Sequence, residues 1–505
     1  MKALLALLTL AVPLGIAIML PENGPTAALV AAVVGGVAAL LIRRIEGEGD
    51  FLVQLFVAGL LLRMVTGTFI FAAGLQEFFG GDAITYDGLG QLLLEVWKGE
   101  TAHKYLIDNF SVGGGWGMLY VVAAIYSVVG RNMLAVQFFN SVLGAATAPL
   151  IFLCARHIFQ NLRVARLSAY LVAFFPSLVL WSCQGLKDGP IVFALALAMY
   201  STLRLGERAS AAHFAALVGA LFAILSLRFY IFYMLVASVV GAFVVGMRRA
   251  GGMALLRQFA VVAGIGVAMT YLGVLRMAQT QVEVYGSLER IQTSRADLVR
   301  TADSGFLADA DVSTTSGALT VLPLGMIYLL FAPFPWQLAN LRQSITLPEM
   351  LVWWASFPAL VLGMWFTLRF RLRQAIPILI FTSMMTVGYS IFQGNVGTAY
   401  RQRAQILVFY FIFVAVGYVL LKERQEDKAR TGRAVRQQVE DSARAIREAR
   451  RQRELARAAR ERQWAEVARG IREKLGPADE KQDPGGRAPD SPDAGQRPAG
   501  GERDS

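Results

Sequence analysis

Apolar runs of about 20 residues recur along this chain from residue 3 to residue 421. Such a run, folded as a helix, spans the roughly 30 Å hydrocarbon core of a bilayer, because a helix rises about 1.5 Å per residue. Charged residues make up only 17% of the 505 residues, whereas soluble globular domains contain about 25%. The chain is therefore predicted to be an all-α, polytopic helical membrane protein with about 12–14 spans.

Arginine and lysine flank the apolar runs unevenly, and short loops rich in these residues stay in the cytoplasm. The basic turns contain Arg43 and Arg44; Arg156, Arg163 and Arg166; Arg204 and Arg208; Arg248 and Arg249; and Arg369, Arg371 and Arg373. Placing them inside puts residues 75–112, residues 184–189, the turn near Arg228 and residues 393–403 on the opposite face. We expect the functional site on that outer face.

This sidedness constrains two neighbouring apolar runs. Residues 113–130 and 133–154 together must make a single net crossing if 75–112 is outside and the turn after 154 is inside. One of the two runs is therefore expected to be re-entrant. Non-helical backbone at membrane depth is tolerated only when it is buried in protein or lines a wet cavity.

Composition divides the chain into three regions. Residues 1–421 hold the apolar runs and form the predicted membrane domain. Residues 422–475 combine helix-forming residues with an excess of arginine, which predicts a basic cytoplasmic helix. That helix is either a solvated tail or a segment that contacts anionic lipid or a partner helix. Residues 476–505 are rich in Pro, Gly, Asp and Ser and are predicted to be disordered.

The first outer loop is long enough to form a helix of its own. Leu89, Leu93 and Trp97 recur at helical spacing, which predicts a helix lying along the membrane interface. Asp82 precedes these residues and directly follows a span. A carboxylate at a membrane mouth can act as a base or a metal ligand, although an aspartate here can also cap the helix. Asp87 is expected to face solvent.

Charged residues also interrupt the apolar runs at three later points on the outer face. The segment "FFPSLVLWSCQGLKDG" places Lys187 and Asp188 between two spans, where charges are costly unless paired or functional. Lys187 is a candidate phosphate ligand, and Asp188 is a candidate ligand for a metal or a substrate. The alternative is a turn with two interfacial anchors.

Arginines mark the other two points. Arg228 is followed by Tyr230, and Arg401 and Arg403 precede the last span. An arginine fork suits bidentate binding of phosphate, whereas the alternative for Arg228 is an arginine in an interfacial aromatic belt. Arg401 and Arg403 run against the positive-inside tendency, which indicates an anionic ligand.

Several classes of site are disfavoured. His103, His157 and His213 share no ligand spacing, and nucleic-acid binding is not expected because the basic excess follows membrane topology and the C-terminal segment. The two cysteines, Cys154 and Cys183, lie in apolar runs and are predicted to be packing residues.

The motifs taken in order resemble a known family. They are "GGDAITYDGLG", "FFPSLVLWSCQGLKDG", "LRFY", "APFPWQ" and "GTAYRQR". Over residues 50–421 the chain is similar to bacterial integral-membrane glycosyltransferases of the GT-C superfamily, related to the dolichyl-phosphate-mannose protein mannosyltransferase group. It departs from the usual pattern in having two apparent spans ahead of the one preceding Asp82 and a long basic extension.

This resemblance implies transfer of a sugar from a polyprenyl-phosphate donor to a glycan, lipid or protein acceptor, at the outer face of the bacterial inner membrane. By motif position Asp82 is the general base or helps to bind metal, and Asp188 is the second acidic residue. Arg228 and Arg401 contact the donor, while Tyr86, Lys187, Tyr230 and Arg403 are further candidate donor ligands. A divalent cation stays open, with Asp82 and Asp188 as its candidate ligands.

Two other functions remain as alternatives. A polysaccharide polymerase or ligase also uses outer-loop arginines and lipid-linked sugars, but the loop at 276–318 lacks histidine. A transporter or flippase would place ionisable residues near mid-span, whereas most charges here lie at span ends.

Overall fold

A computed structural model of the protein describes residues 2–112, 115–247, 252–274, 281, 287–300, 304–338 and 340–476. Across these residues the regular elements are helices, and one isolated bridge pairs Gly305 with Asn395. The helices are α1 (Lys2–Met19), α2 (Gly24–Arg43), α3 (Gly49–Ala72), α4 (Gln76–Gly80), α5 (Asp82–Trp97), α6 (Lys104–Val112), α7 (Gly117–Val129), α8 (Met133–Phe159), α9 (Leu162–Phe174), α10 (Pro176–Ser182), α11 (Asp188–Glu207), α12 (Ala211–Leu227), α13 (Phe229–Met247), α14 (Gly252–Tyr271), α15 (Leu288–Arg300), α16 (Thr315–Phe331), α17 (Leu341–Phe370), α18 (Leu372–Phe392) and α19 (Val396–Leu475).

Many of these helices are suited to a bilayer. Within the described ranges, eight are long and apolar enough to cross a membrane, and α9 with α10 forms a bent pair that raises the number to nine. Shorter apolar segments lie in α7, α12, α13, α14 and α16. The prediction of an all-α polytopic membrane protein is confirmed. The sequence predicted about 12–14 spans, whereas eight or nine are found among the described residues, because several of the predicted runs form shorter helices.

Helix α8 lies at the centre of the bundle and packs against α2, α3, α9 and α11. Asn132 starts it by accepting a hydrogen bond from the backbone amide of Ala135, which satisfies one of the amides that a helix start leaves unpaired. Gln160 ends it with a φ of 52° in the left-handed region. Between them, small buried residues such as Gly144 and Ala148 let the neighbouring helices approach closely.

The segment after α3 contains the helix that the apolar spacing predicted. Helix α5 begins at Asp82, ends at Trp97 and buries Leu93 and Leu94, and it packs against α7. Gly81, rather than Asp82, occupies the position before the first turn and provides no side-chain cap. Asp82 is therefore not the helix cap that the sequence left open, and its carboxylate is available for other contacts.

Asp87 differs from the prediction that it faces solvent. It is buried and accepts hydrogen bonds from the Tyr126 hydroxyl at 2.5 Å and from Arg131 Nη2 at 2.6 Å. A carboxylate can be buried only when charge and hydrogen bonds compensate its lost hydration. Arg131 and Tyr126 supply both, and they tie α5 to α7 and to the turn after it.

The two neighbouring runs 113–130 and 133–154 fold differently from each other. Helix α7 has 13 residues and is about 20 Å long, too short to cross a bilayer. Helix α8 has 27 residues and is long enough. This difference agrees with the single net crossing that the sidedness of the flanking loops requires.

Basic turns meet at the end of the bundle where α2 ends and α3 begins. Arg166 Nη2 donates to both carboxylate oxygens of Glu48, at 2.8 and 3.0 Å. Arg156 Nη1 donates to the backbone carbonyl of Glu46 at 3.1 Å. These contacts join the loop after α2 to the end of α8 and to α9, so turns that the sequence placed on one face do lie together.

The chain separates into two compact units, Met1–Arg424 and Gln425–Ser505. In the second unit, the described residues form the C-terminal part of α19 and are almost all exposed. Even its apolar side chains Val439 and Trp464 are 63% and 73% exposed. The predicted helix over 422–475 is therefore present. The predicted disordered tail, 476–505, lies outside the described residues except for Gly476.

Candidate functional site

A single guanidinium joins two carboxylates from distant parts of the chain. Arg401 donates from Nη1 to Asp82 Oδ2 and from Nε to Asp188 Oδ2, both at 2.8 Å. Its Nη2 also lies 2.6 Å from Asp188 Oδ2. Asp82 begins α5, Asp188 begins α11 and Arg401 lies near the start of α19. The structure thus brings together the two acidic residues that were predicted to share a site.

The two carboxylates differ in exposure. The Asp188 side chain is 1% exposed and that of Asp82 is 52% exposed. A buried carboxylate needs compensating charge, and Asp188 obtains it from Arg401 and from Arg228, whose Nη2 lies 3.6 Å from Oδ1. Because Asp82 keeps half of its surface open, it is accessible to a substrate, whereas Asp188 serves to hold the cations.

A break between α10 and α11 places Lys187 and Asp188 at the site. The segment that joins these helices is non-helical and buried, so its backbone groups need partners. Asn140 of α8 provides two, donating from Nδ2 to the carbonyls of Gln184 and Leu186, each at 2.7 Å. Asn140 therefore fixes the loop immediately before the two charged residues.

Lys187 adds a third cation near the carboxylates. Its Nζ lies 5.9 Å from the centre of the Tyr86 ring, in a cation–π contact. Burial, followed by repulsion from Arg228, lowers the pKa of Lys187 to about 8. Burial, followed by the Asp82 carboxylate, raises the pKa of Tyr86. At neutral pH Lys187 is thus cationic, and Tyr86 is a neutral hydroxyl.

An open cleft with a volume of about 460 Å³ adjoins these residues, within the range of small-molecule sites. Two of the cations, Lys187 and Arg228, line it together with Tyr230. The remaining lining residues are Gly115, Leu227, Phe229, Ser294, Asp297, Leu298, Phe392, Thr398 and Gln402. The cleft therefore combines two cations and one carboxylate, that of Asp297, with hydroxyl, amide and aromatic groups, and its net positive charge suits a polar anionic ligand.

Arg403 is the predicted site residue that the structure does not bring to this cluster. It is buried, and its Nη1 donates to the carbonyls of Leu330 and Ala332 at 3.0 and 3.1 Å. These carbonyls lie at the end of α16, where a cation is favourable. Two residues along a helix correspond to a rotation of about 200°, so Arg403 and Arg401 point to opposite sides of α19.

The charges of the cluster favour an anion over a metal ion. Among the residues that the structure describes, there is no group of three or more His, Cys, Asp or Glu side chains suited to hold a metal. Asp82 and Asp188 are close, but both are paired with Arg401. A divalent cation would have to displace that arginine to use the two carboxylates, and it would need further oxygen ligands.

Some residues around the site were not predicted from the sequence. Trp181 lies beneath Arg401, with Cζ 5.7 Å from the ring centre. Arg63 of α3 donates to Ser182 Oγ at 2.8 Å, and Glu349 of α17 contacts Tyr400. Arg63 had a readable signal, because it is a charge inside a long apolar run. Glu349 had a weaker one, because it directly precedes such a run. The ring of Trp181 had none, since apolar packing and ligand contact look alike in sequence.

Comparison with known proteins supports the resemblance seen in the motifs. Residues 116–276 match the family model described as dolichyl-phosphate-mannose-protein mannosyltransferase. This segment starts one residue before α7, ends beyond α14 and includes Lys187, Asp188 and Arg228. Over these residues the match confirms the predicted similarity to the dolichyl-phosphate-mannose protein mannosyltransferase group. No curated protein matches the sequence.

Two solved structures show a limited similarity. One is ArnT from Cupriavidus metallidurans bound to undecaprenyl phosphate, with 17% identity, coverage of 63% of this chain and 52% of that chain, and a TM-score of 0.40. The other is the archaeal oligosaccharyltransferase AglB from Archaeoglobus fulgidus in complex with an inhibitory peptide and a dolichol-phosphate, with 16% identity, coverage of 64% and 44%, and a TM-score of 0.38. The chain spans about half the length of these proteins, and neither assigns a role to a residue here.

Proposed function

We propose that the protein transfers a sugar from a polyprenyl-phosphate-linked donor to an acceptor on the non-cytoplasmic face of a bacterial inner membrane. The acceptor is a glycan, a lipid or a protein of the cell envelope. The observation that supports this most is the arrangement around Arg401, which holds one exposed and one buried carboxylate beside a cleft with two further cations. The family match over residues 116–276 supports the same reaction class.

The reaction requires two kinds of group. Breaking the bond between the anomeric carbon and the phosphate oxygen leaves negative charge on the phosphate, and cations close to it stabilise that charge. The attacking hydroxyl of the acceptor loses its proton to a base as the new glycosidic bond forms. In this proposal the leaving phosphate contacts Lys187 and Arg228 in the cleft, and Asp82 accepts the proton.

Exposure decides which carboxylate is the base. Asp188 is 1% exposed and paired with Arg401 and Arg228, so an acceptor hydroxyl has no route to it. Asp82 is half exposed and uses Oδ2 for a single arginine contact at 2.8 Å.

The membrane setting fits a lipid-borne donor. The charged cluster lies where α5, α11 and α19 begin, and α11 and α19 are both long and apolar enough to span. A polyprenyl chain can pack against such helices while its phosphate reaches the cations at their ends. A water-soluble donor would not require this combination of a charged cluster and an apolar bundle.

Replacement of the proposed base provides the direct test. Asp82→Asn removes the proton acceptor while it preserves size, so transfer should fall by about 10²–10⁴-fold. Donor affinity should change little, because Lys187 and Arg228 remain. Transfer from a radiolabelled polyprenyl-phosphate sugar to envelope acceptors, measured in liposomes that contain the purified protein, gives both quantities.

Glu95→Gln is a matched control on the same helix. Glu95 lies 13 residues from Asp82, about 20 Å along α5, and its contacts are with Gln91 and His103. If Asp82→Asn protein transferred sugar at the wild-type rate, Asp82 could not be the base. In cells that lack the protein, accumulation of lipid-linked monosaccharide supports the proposal, whereas accumulation of whole lipid-linked repeat units would point to a polymerase or ligase.

A further inference from the structure

A buried carboxylate outside the proposed reaction, that of Glu349, contacts the residue next to Arg401 on α19. Glu349 belongs to the span α17 and is 6% exposed. A buried carboxylate is costly unless hydrogen bonds or charge compensate its lost hydration. Within the described part of the chain its Oε1 has no hydrogen-bond partner, so all of its hydrogen bonds are made through Oε2.

Those hydrogen bonds reach two segments that lead directly to the site. Oε2 accepts one from the backbone amide of Ser177 at 2.7 Å and one from the Tyr400 hydroxyl at 2.9 Å. Ser177 lies in the first turn of α10, the short helix that precedes Lys187 and Asp188. Tyr400 is the neighbour of Arg401. One carboxylate oxygen therefore connects the two segments that supply three of the site's charges.

The rings beside Tyr400 extend this connection to the guanidinium of Arg401. The Tyr400 ring contacts the Trp181 ring edge-on, with centroids 6.3 Å apart. Arg401 lies over the Trp181 ring, with Cζ 5.7 Å from its centre. Because the hydroxyl of Tyr400 is fixed by Glu349, its ring limits how Trp181 can move, and Trp181 in turn limits the position of Arg401.

We propose that Glu349 is a positioning residue that acts through Tyr400 and Trp181 to hold Arg401 between Asp82 and Asp188. It does not touch the substrate, because it is buried and its bonding oxygen faces Ser177 and Tyr400. This inference rests on the proposed function for its effect on turnover. Its effect on the placement of Arg401 is independent of any activity.

The substitution Tyr400→Phe removes the hydroxyl and keeps the ring. Loss of one buried hydrogen bond to a charged group is expected to lower kcat about tenfold, because Arg401 no longer holds Asp82 in one orientation. The KM for the donor should stay within twofold, since Lys187 and Arg228 are untouched. If the Tyr400 hydroxyl only stabilised the fold, its loss would lower the yield of folded protein, and kcat would not fall selectively relative to KM.

Tyr410→Phe is a close control. Tyr410 lies on the same helix, is 7% exposed like Tyr400, and bonds Thr386 at 2.7 Å. The Tyr410→Phe protein should therefore keep both kcat and KM within twofold of the wild-type values. Glu349→Leu removes the acceptor oxygen and should reduce kcat at least as much as Tyr400→Phe. The double variant should be no worse than Glu349→Leu alone, because the Tyr400 hydroxyl has already lost its partner there.

A second measurement does not depend on transfer. The Arg401 side chain is 15% exposed and that of Arg131 is 57% exposed. In Tyr400→Phe protein, modification of Arg401 by phenylglyoxal, followed by mass spectrometry, should accelerate severalfold, while that of Arg131 should not change. If wild-type protein transfers no sugar, the proposed function fails but this readout still tests the placement. An unchanged modification rate at Arg401, or equal loss of kcat in Tyr410→Phe, would overturn the inference.

Discussion

At the scale of single residues, burial gives chemically identical side chains different tasks. Asp82 and Asp188 share one guanidinium, yet one is 52% exposed and the other 1%. Arg401 and Arg403 are two positions apart, yet one contacts carboxylates and the other backbone carbonyls. The type of side chain determines which contacts it can make, and its burial and neighbours determine which of those contacts it does make.

The effect of burial on Lys187 can be tested by measuring donor binding as a function of pH. Burial, then repulsion from Arg228, lowers its pKa to about 8, so it is charged below that pH and neutral above it. The affinity for a polyprenyl phosphodiester analogue, whose own charge does not change, should therefore weaken as pH rises through about 8. Loss of one charged hydrogen bond corresponds to about a tenfold change in the dissociation constant. Binding in detergent between pH 6.5 and 9.5 measures it.

Variants at the same position identify the titrating group. Lys187→Arg keeps its charge over the whole range, because the guanidinium does not lose its proton, and its binding curve should be flat and tight. Lys187→Met should be flat and weak. If wild-type and Lys187→Arg proteins lose affinity together, another group causes the transition and Lys187 is not a donor ligand.

Sequence was a good guide to the residues of the site and a poor one to their partners. Charges at the ends of apolar runs predicted Asp82, Lys187, Asp188, Arg228 and Arg401 as candidate site residues, because such charges are costly unless used, and the structure places them close together. The pairing of Arg401 with both carboxylates depends on which helix faces meet, and that information is spread over three distant segments. The prediction for Asp87 was wrong for the same reason, since its partners lie on other elements.

At the scale of elements, close helix packing positions the site. Helix α8 crosses the short helix α10 at Gly144, where an added Cβ would lie 2.4 Å from Ser182 Oγ and 2.9 Å from Arg63 Nε. Real side chains essentially never approach this closely, so any larger residue must push α10 away. The segment that follows α10 contains Lys187 and would move with it.

The substitution Gly144→Ala should therefore damage both stability and activity. Overpacking of this kind lowers the free energy of unfolding by about 1–3 kcal/mol, and we expect transfer to fall as α10 shifts. Gly219→Ala on α12 is the comparison, because its Cβ meets open space and alanine favours a helix by about 0.5–1 kcal/mol over glycine. Thermal unfolding in detergent should show a lower midpoint for the first variant only. If Gly144→Ala protein unfolded at the same midpoint as wild-type protein, α8 and α10 would not be in tight contact.

Helices themselves were easier to predict than their junctions. Apolar spacing predicted α5, and the length of the runs predicted the eight or nine spans but also counted shorter apolar helices such as α7 and α16 among them. The turn over residues 184–189 was predicted. The bend between α9 and α10 and the contacts of that turn with Asn140 were not, because the partners that make buried non-helical backbone tolerable come from α8. A local pattern cannot show a partner from another helix.

At the scale of the whole membrane unit, the site and the basic turns lie at opposite ends of the same helices. Helix α11 begins with Asp188 in the site and ends at Glu207, whose Oε1 lies 3.5 Å from His157. Its 20 residues extend over about 30 Å, the thickness of the hydrocarbon core. His157 follows Arg156, which contacts the loop after α2. One membrane thickness thus separates the charged cluster from the basic turns.

This separation predicts the topology of the chain. Basic turns stay in the cytoplasm, so the site should face outward and the arginine-rich residues after 424 should be inside. A cysteine at Glu100, in the exposed turn after α5, should react with a membrane-impermeant maleimide on spheroplasts, whereas one at Ser442 should react only after permeabilisation. Wild-type protein is the control, because its two cysteines, Cys154 and Cys183, are fully buried and should give little background. Labelling of both introduced cysteines from the same side would place the cluster and the C-terminal helix on one face, and a donor site on the non-cytoplasmic face would then be untenable.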